Sequence, residues 1–248
     1  HGLGDHLGTA ANFLQSFAHQ GYQVTGFDMR GHGKSTGKRT HLPDFSILID
    51  DLKRFLEHIK SGTPAYPTFV IGYDLGALLA LAYVQKFHGK GLSGLICLSP
   101  LFHPYLHSSV WQSRIYALKS RFLPMMRITL PHQSAQLSHD LEAVERWHRD
   151  PLCSEHITLQ TARNLQQMST GILLKVQQIR TPTLFLQAGD DRITDIETFY
   201  RFVERIPSYN KKVQVYPGYL HALHLETPDR KSLVQQDVLS WLNDQHNT

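Results

Sequence analysis

Apolar and polar positions alternate with two different periods along the chain, and the switches between them mark its elements. "TAANFLQSFAHQG" carries helical spacing and stops at Gly21. "YQVTGFD" reads as a short strand rich in β-formers, and "MRGHGKSTGKR" as a loop with three glycines among cations. "DFSILIDDLKRFLEHIK" is an amphipathic helix capped by Asp44, and "TFVIG" is a buried strand followed by the apolar helix "ALLALAYVQKFHG". "GLSGLICLSP" is another strand. This order predicts an α/β fold with a mostly parallel sheet and helices on both faces.

From residue 101 to 175 the regularity breaks. Pro104, Pro124, Pro131 and Pro151 punctuate short helical pieces, and Phe102, Tyr105, Trp111, Tyr116, Phe122, Leu123, Met125 and Met126 make the stretch dense in large apolar side chains. The pattern predicts an inserted helical cap over 101–175, within a core formed by 1–100 and 176–248. Alternation then resumes with the strand "PTLFLQAG", the helix "DIETFYRFVERI", the strand "KVQVYPG" and a final helix near "SLVQQDVLSWLNDQ". No internal repeat or low-complexity tract interrupts it.

Composition narrows the class. At 248 residues the chain is long enough for one large α/β domain, with 41% hydrophobic and 19% charged residues. No apolar run reaches the roughly 18 residues of a membrane span. The net charge of +4 comes from scattered cations, which argues against nucleic acid as a partner. The 16 histidines form no HExxH or clustered Cys/His spacing, so neither a metal nor a cofactor is expected. Cys97 and Cys153 make no disulfide framework, which is compatible with a reducing compartment. The expected location is cytoplasmic or peripheral to a membrane. The sequence begins at His1 and shows no leader, so it reads as a fragment.

Four segments carry candidate chemistry. "HGLGDH" is a glycine-rich turn, which many loops would explain. "FVIGYDLGALLALAYVQ" runs a strand through Gly72 and Gly76 around Asp74 into a helix, the context of a nucleophile elbow. "LFLQAGDDRITD" offers Asp190, Asp191 and Asp195 on a turn after a strand, Asp195 fitting best as a helix cap. "VYPGYLHALHLE" places His221 in the loop before the last helix, with His224 as the alternative. The chain order nucleophile, acid, histidine is that of the α/β-hydrolases.

With "FDMRGHGKSTG", "LSPL", "RDPL" and "TPTLFLQAGDDRI", these segments cover nearly the whole chain. Together they resemble the monoacylglycerol lipase and lysophospholipase branch of the α/β-hydrolases, the serine aminopeptidase S33-like group. The resemblance implies Asp191 as the acid, His221 as the base, and the N–H groups of Leu3 and Leu75 as the oxyanion hole. It implies a small-molecule lipid partner, a monoester whose acyl chain lies under the cap, and a cap that can touch a membrane. Tyr73, Tyr105 and Tyr116 are the candidate substrate contacts; the last two are chosen by residue type alone and serve equally as core aromatics. In this fold a central strand precedes the His-Gly turn, so the N-terminal strands are expected to be missing from these 248 residues, with poor stability as the result.

The elbow departs from that family, whose pattern is Gly-His-Ser-x-Gly-Gly. Here it is "GYDLGA", with Tyr73, Asp74 and Ala77 all different. An aspartate elbow is similar in outline to those of epoxide hydrolases and dehalogenases, but those carry His-Gly-x-Pro at the first turn. Three functions follow: an ester hydrolase with an altered nucleophile, a non-catalytic lipid binder, or a hydrolase of epoxides or halides. Asp74, Asp191 and His221 are expected to converge, with carboxylate–imidazole contacts of about 3 Å.

Overall fold

In a computed structural model the described residues are 1–61, 66–102, 118–130, 134–207 and 211–246. Pro104, Tyr105, Trp111, Tyr116 and Pro131 lie outside them. Four strands form a parallel sheet in the order β1–β2–β5–β6: β1 Phe69–Tyr73, β2 Gly94–Leu98, β5 Thr183–Ala188 and β6 Lys211–Tyr216. Every residue of β2 and β5 is buried, as expected of central strands covered on both faces, while β6 alternates in burial as an edge strand does.

Helices α1 Ala11–His19, α2 Phe45–Ser61, α3 Leu75–Phe87, α6 Ile196–Glu204 and α7 Pro228–His246 fall where the periodicity places them. Asp44 and Asp195 cap α2 and α6, accepting from the N–H groups of Ser46 (2.7 Å) and Glu197 (3.2 Å). Helix α3 is apolar on all sides, and it is buried continuously from Ala77 to Gln85. Trp241 of α7 packs edge-on to Phe69 of β1, with ring centroids 5.8 Å apart.

Two expectations need correction. "YQVTGFD" forms no strand: residues 23–28 join no ladder among the described residues. Between this segment and β1 lies a cleft of about 1280 Å³, lined by Phe17, Phe27, Phe55, Val70 and Leu79 among others. β-propensity expresses itself only in pairing with a neighbouring strand, and the cleft holds this segment apart from β1. The second correction concerns residues 101–175. They hold α4 Leu141–Arg149 and α5 Leu159–Leu174, but also an antiparallel ribbon of β3 Arg127–Thr129 and β4 His156–Thr158. Strands of three residues are too short for alternation to announce them.

Residues 101–175 are fastened to the loops at the carboxyl ends of the strands through backbone hydrogen bonds. Ser154 N–H donates to the Gly4 carbonyl (2.8 Å), Ala222 N–H to Leu137 (2.8 Å), and Asp195 N–H to Phe102 (3.2 Å).

An apolar cleft of this size should bind a solvatochromic dye such as ANS in the native 248-residue chain. Fluorescence enhancement is expected well below the melting transition. No enhancement until the chain melts would contradict an open cleft.

Candidate active site

Strand β1 ends and helix α3 begins at Asp74, which adopts φ 53° and ψ −114°. A non-glycine residue with positive φ is strained, and here the surroundings enforce it. A Cβ on Gly72 would lie 2.5 Å from the Gly76 carbonyl, so the tight turn requires glycine there. The same crowding holds at Gly2, where a Cβ would meet Asp74 Oδ2 at 2.7 Å. The first turn of the chain is thereby pressed against the elbow.

The close approach positions one hydrogen bond. Leu3 N–H donates to Asp74 Oδ2 at 2.7 Å. Leu75 opens α3 directly after the carboxylate, but no bond from its N–H to Asp74 is found among the described residues. Asp74 Oδ1 is buried, has no hydrogen-bond partner among the described residues, and lies 3.7 Å from His221 Nε2. That separation is an ion-pair contact, longer than a hydrogen bond. On its other side His221 Nδ1 meets Asp191 Oδ2 at 2.8 Å.

Asp191 is held by more than the imidazole. Its Oδ1 accepts from the N–H groups of Ile193 (2.9 Å) and Thr194 (3.2 Å); its Oδ2 accepts from Gln187 Nε2 (3.0 Å) and Thr194 Oγ1 (3.1 Å). Burial would raise this carboxyl, but the His221 charge and these donors hold it below the usual carboxylate range. For His221, burial acts to lower the pKa. The charge and hydrogen bond of Asp191, with Asp74 adding to them, reverse this and raise it to about 10. The imidazole is therefore a cation near neutral pH.

The competing residues fall away on geometry. Asp190 is exposed, and Asp195 is occupied as the α6 cap. His224 packs between Phe13 and Tyr73 at centroid distances of 6.3 and 4.3 Å, and burial pushes it down to about 3. Tyr73 sits over His221 at 5.2 Å, and burial among Asp74, Asp5 and Asp191 keeps its phenol protonated. Tyr105 and Tyr116 lie outside the described residues.

A pocket of about 30 Å³ opens beside Asp74, room for one or two water-sized groups. Leu101, Leu130, Leu137 and Trp147, all within residues 101–175, form its apolar wall. Asp5 also borders it. Burial raises this carboxyl against the opposing bonds from His6 N–H and Thr9. Sequence reasoning missed Asp5 and Gln187. Gln187 left a trace, as a polar residue inside the otherwise apolar "TLFLQA".

His6, Asp150 and Cys153 cluster closely enough to suit a cation. The chemistry does not fit one. His6 Nδ1 accepts from Gly8 N–H, so Nε2 carries the proton it shares with Asp150, and burial raises the Cys153 thiol.

Comparison with known proteins places this geometry in context. The Hydrolase_4 family, described as serine aminopeptidase, S33, matches residues 1–228. An uncharacterized abhydrolase domain-containing protein of Dictyostelium discoideum is 29% identical over 98% of this chain, which spans 26% of that protein's length. The monoglyceride lipase of Rattus norvegicus is 26% identical over 98% of this chain and 80% of its own. The crystal structure of Paleococcus ferrophilus monoacylglycerol lipase superposes with a TM-score of 0.89 at 23% identity, covering 99% of this chain and 92% of that one.

The folded His221 binds its proton more tightly than the unfolded residue, whose pKa is 6.5. Its stabilising share is therefore fully present below pH 6.5 and is lost as pH rises toward about 10. Denaturant titrations should show the stability gap between the unmodified chain and His221→Gln shrinking across that window. Nitrogen-15 NMR should show an imidazolium at neutral pH; a neutral ring there would contradict the two-carboxylate environment.

Proposed function

The chain belongs to the serine aminopeptidase S33 (Hydrolase_4) family of α/β-hydrolases, in its monoglyceride lipase-like branch, and on that footing we propose that it binds a monoacyl lipid at a site arrested for ester cleavage. The observation that carries this reading is the 2.7 Å bond from Leu3 N–H to Asp74 Oδ2. A carboxylate oxygen occupies the donor that would stabilise an ester's developing oxyanion. In this reading Asp74 stands at the nucleophile position, Asp191 and His221 form the acid–base pair, the Leu3 and Leu75 N–H groups form the oxyanion hole, and Tyr73 lines the pocket. Residues 101–175 act as the cap.

Two arguments support the arrest. A general base must be free of its proton, and the two carboxylates keep His221 charged. Attack of Asp74 on an ester would also give a mixed anhydride through a tetrahedral intermediate. That intermediate expels either a carboxylate or an alkoxide more basic by roughly 12 pK units. It returns to substrate.

The surface favours a lipid partner. Leu118, Phe122, Leu123, Met125 and Met126 are exposed, from 37% at Met125 to 73% at Phe122. Lys119, Arg121 and Arg127 are exposed among them. Large apolar side chains interleaved with cations suit an anionic lipid surface. Strand β3 runs from this patch to Leu130 on the pocket wall, a span of about 10 Å. The pocket as it stands is too small for an acyl chain, so lipid access requires the cap to shift.

Asp74→Ser should restore esterase activity, about 100-fold above the unmodified chain, toward a short activated ester and a monoacylglycerol. The activity should vanish in Asp74→Ser with His221→Ala. A folded, lipid-binding single variant without turnover would mean that the relay has decayed beyond Asp74; ester cleavage by the unmodified chain would refute the arrest. Separately, Phe122→Asp should weaken binding to phosphatidylserine vesicles by about tenfold in flotation assays, since burying one such ring contributes about 1.5–3 kcal/mol. Unchanged flotation would remove the patch from the reading.

A further inference from the structure

Resting on the Asp191–His221 pair of that reading, we infer that Gln187 is a positioning residue: its side-chain amide holds Asp191 Oδ2 against His221 Nδ1 and so fixes the direction of the imidazole. Strand β5 is buried throughout, and Gln187 is fully buried within it. Packing alone gives no reason for an amide there. Its Oε1 is buried and has no hydrogen-bond partner among the described residues, which is unfavourable for a carbonyl oxygen. An amide retained only to fill the core needs partners at both ends. This one is partnered only at Nε2, which lies 3.0 Å from Asp191 Oδ2 and 3.2 Å from the Ala188 carbonyl.

The two oxygens of Asp191 are anchored differently. Oδ1 accepts from the N–H groups of Ile193 and Thr194, which belong to the same turn as Asp191 and move with it. Oδ2 meets His221, and its other donors are Thr194 Oγ1 at 3.1 Å and Gln187 Nε2. Thr194 is again part of the turn. Among these donors Gln187 is the one seated in the central sheet. It pairs with Val215 of β6, and Leu186 before it pairs with Leu98 of β2. Its amide ties the carboxylate to the rigid part of the fold rather than to the loop that carries it.

Losing that bond leaves the turn donors in place but frees the carboxylate to swing Oδ2 away from Nδ1. The consequence is electrostatic. Burial works against the imidazolium, and the charge and hydrogen bond of Asp191 are the largest influences that overcome it, ahead of Asp74. Tyr73 is the other titratable group over the ring, and its phenol stays neutral. A leucine at 187 would offer no donor, and a glutamate would set a second carboxylate beside Asp191. Glutamine is the side chain of that length that donates without adding charge.

The test is an NMR titration of the His221 imidazole in the whole 248-residue chain. Gln187→Met keeps the length and volume and removes the amide. The titration midpoint should fall by about one pH unit, a tenfold loss of proton affinity, while the melting temperature holds or rises. A midpoint that rises would mean that the amide draws charge from Asp191 instead of aiming it, and an unchanged midpoint would mean a packing role; either overturns the inference. Gln187→Asn, an amide one methylene too short to reach, should titrate like Gln187→Met, and a midpoint like that of the unmodified chain would also overturn it. Should both variants fail to fold, the unmodified chain decides: the Gln187 amide protons should shift in step with His221, and signals that ignore its titration sink the inference. In the Asp74→Ser background Gln187→Met should lower kcat about tenfold with KM unchanged, since the amide touches no ligand. Turnover indifferent to Gln187→Met sinks this inference only. An Asp74→Ser chain without turnover sinks the arrested-esterase reading only, and the imidazole titration then decides the role of Gln187.

Discussion

One imidazole between two carboxylates sets the state of the whole site. Asp191 touches His221 at 2.8 Å and Asp74 approaches it at 3.7 Å, all three nearly or wholly out of water. Charges in such surroundings are tolerable only as a compensated set. The set explains the direction of each neighbour: Asp191 held down, His221 raised, and the Tyr73 phenol kept neutral. Gln187 and Thr194 complete it by filling the lone pairs of Asp191 that the imidazole leaves open. A hydroxyl at position 74 would take one charge out of this balance, which is why the exchange of a single side chain alters the base as well as the nucleophile.

The loop that carries His221 is held by a second buried carboxylate. Glu226 is fully buried and accepts from Leu220 N–H (2.9 Å) and from His139 at Nδ1 (2.9 Å) and its backbone N–H (3.3 Å). Ser138 adds a bond to the Leu225 carbonyl at 2.9 Å. Residues 137–140 are thus bolted to residues 220–226. Leu137 of the pocket wall and the imidazole loop are joined through these bonds, so widening the pocket at Leu137 for a longer ligand disturbs the groups that orient His221.

Much of this was legible in the sequence, and the reasons differ by element. Helix α3 and the central strands are long or uniformly apolar, so burial wrote them plainly into the chain. The elbow was readable because Gly72 and Gly76 are dictated by close backbone approach, whatever residue lies between them. Asp191 over Asp190 was not decidable from spacing, since one step along a turn reverses a side chain; the N–H groups of Ile193 and Thr194 make the choice. Asp5 and Glu226 were invisible because their roles depend on burial by segments more than 60 residues away. The segment "YQVTGFD" misled for the opposite reason: its propensity is local, but a strand is a relation between two segments.

That relation bears on the chemistry through His1. Its carbonyl accepts from Gly76 N–H at 3.0 Å, in the first turn of α3, and its ring Nε2 accepts from Met29 N–H at 2.8 Å. Its Nδ1–H donates to the Gly2 carbonyl at 2.8 Å, which fixes the tautomer these bonds require. His1 therefore spans from the elbow to Met29, just after residues 22–28, and both His1 and Gly76 line the cleft. On its other edge β1 is fixed by full register with β2, and Asp74 N–H donates to Leu98 at 3.0 Å. The elbow is rigid toward β2 and depends on His1 toward the cleft. Because Leu3 follows His1 by two residues, a shift of the cleft walls reaches the Leu3–Asp74 bond through the shortest covalent path in the site. The packing of the β1 edge and the orientation of the Asp74 carboxylate are in that sense one structural variable.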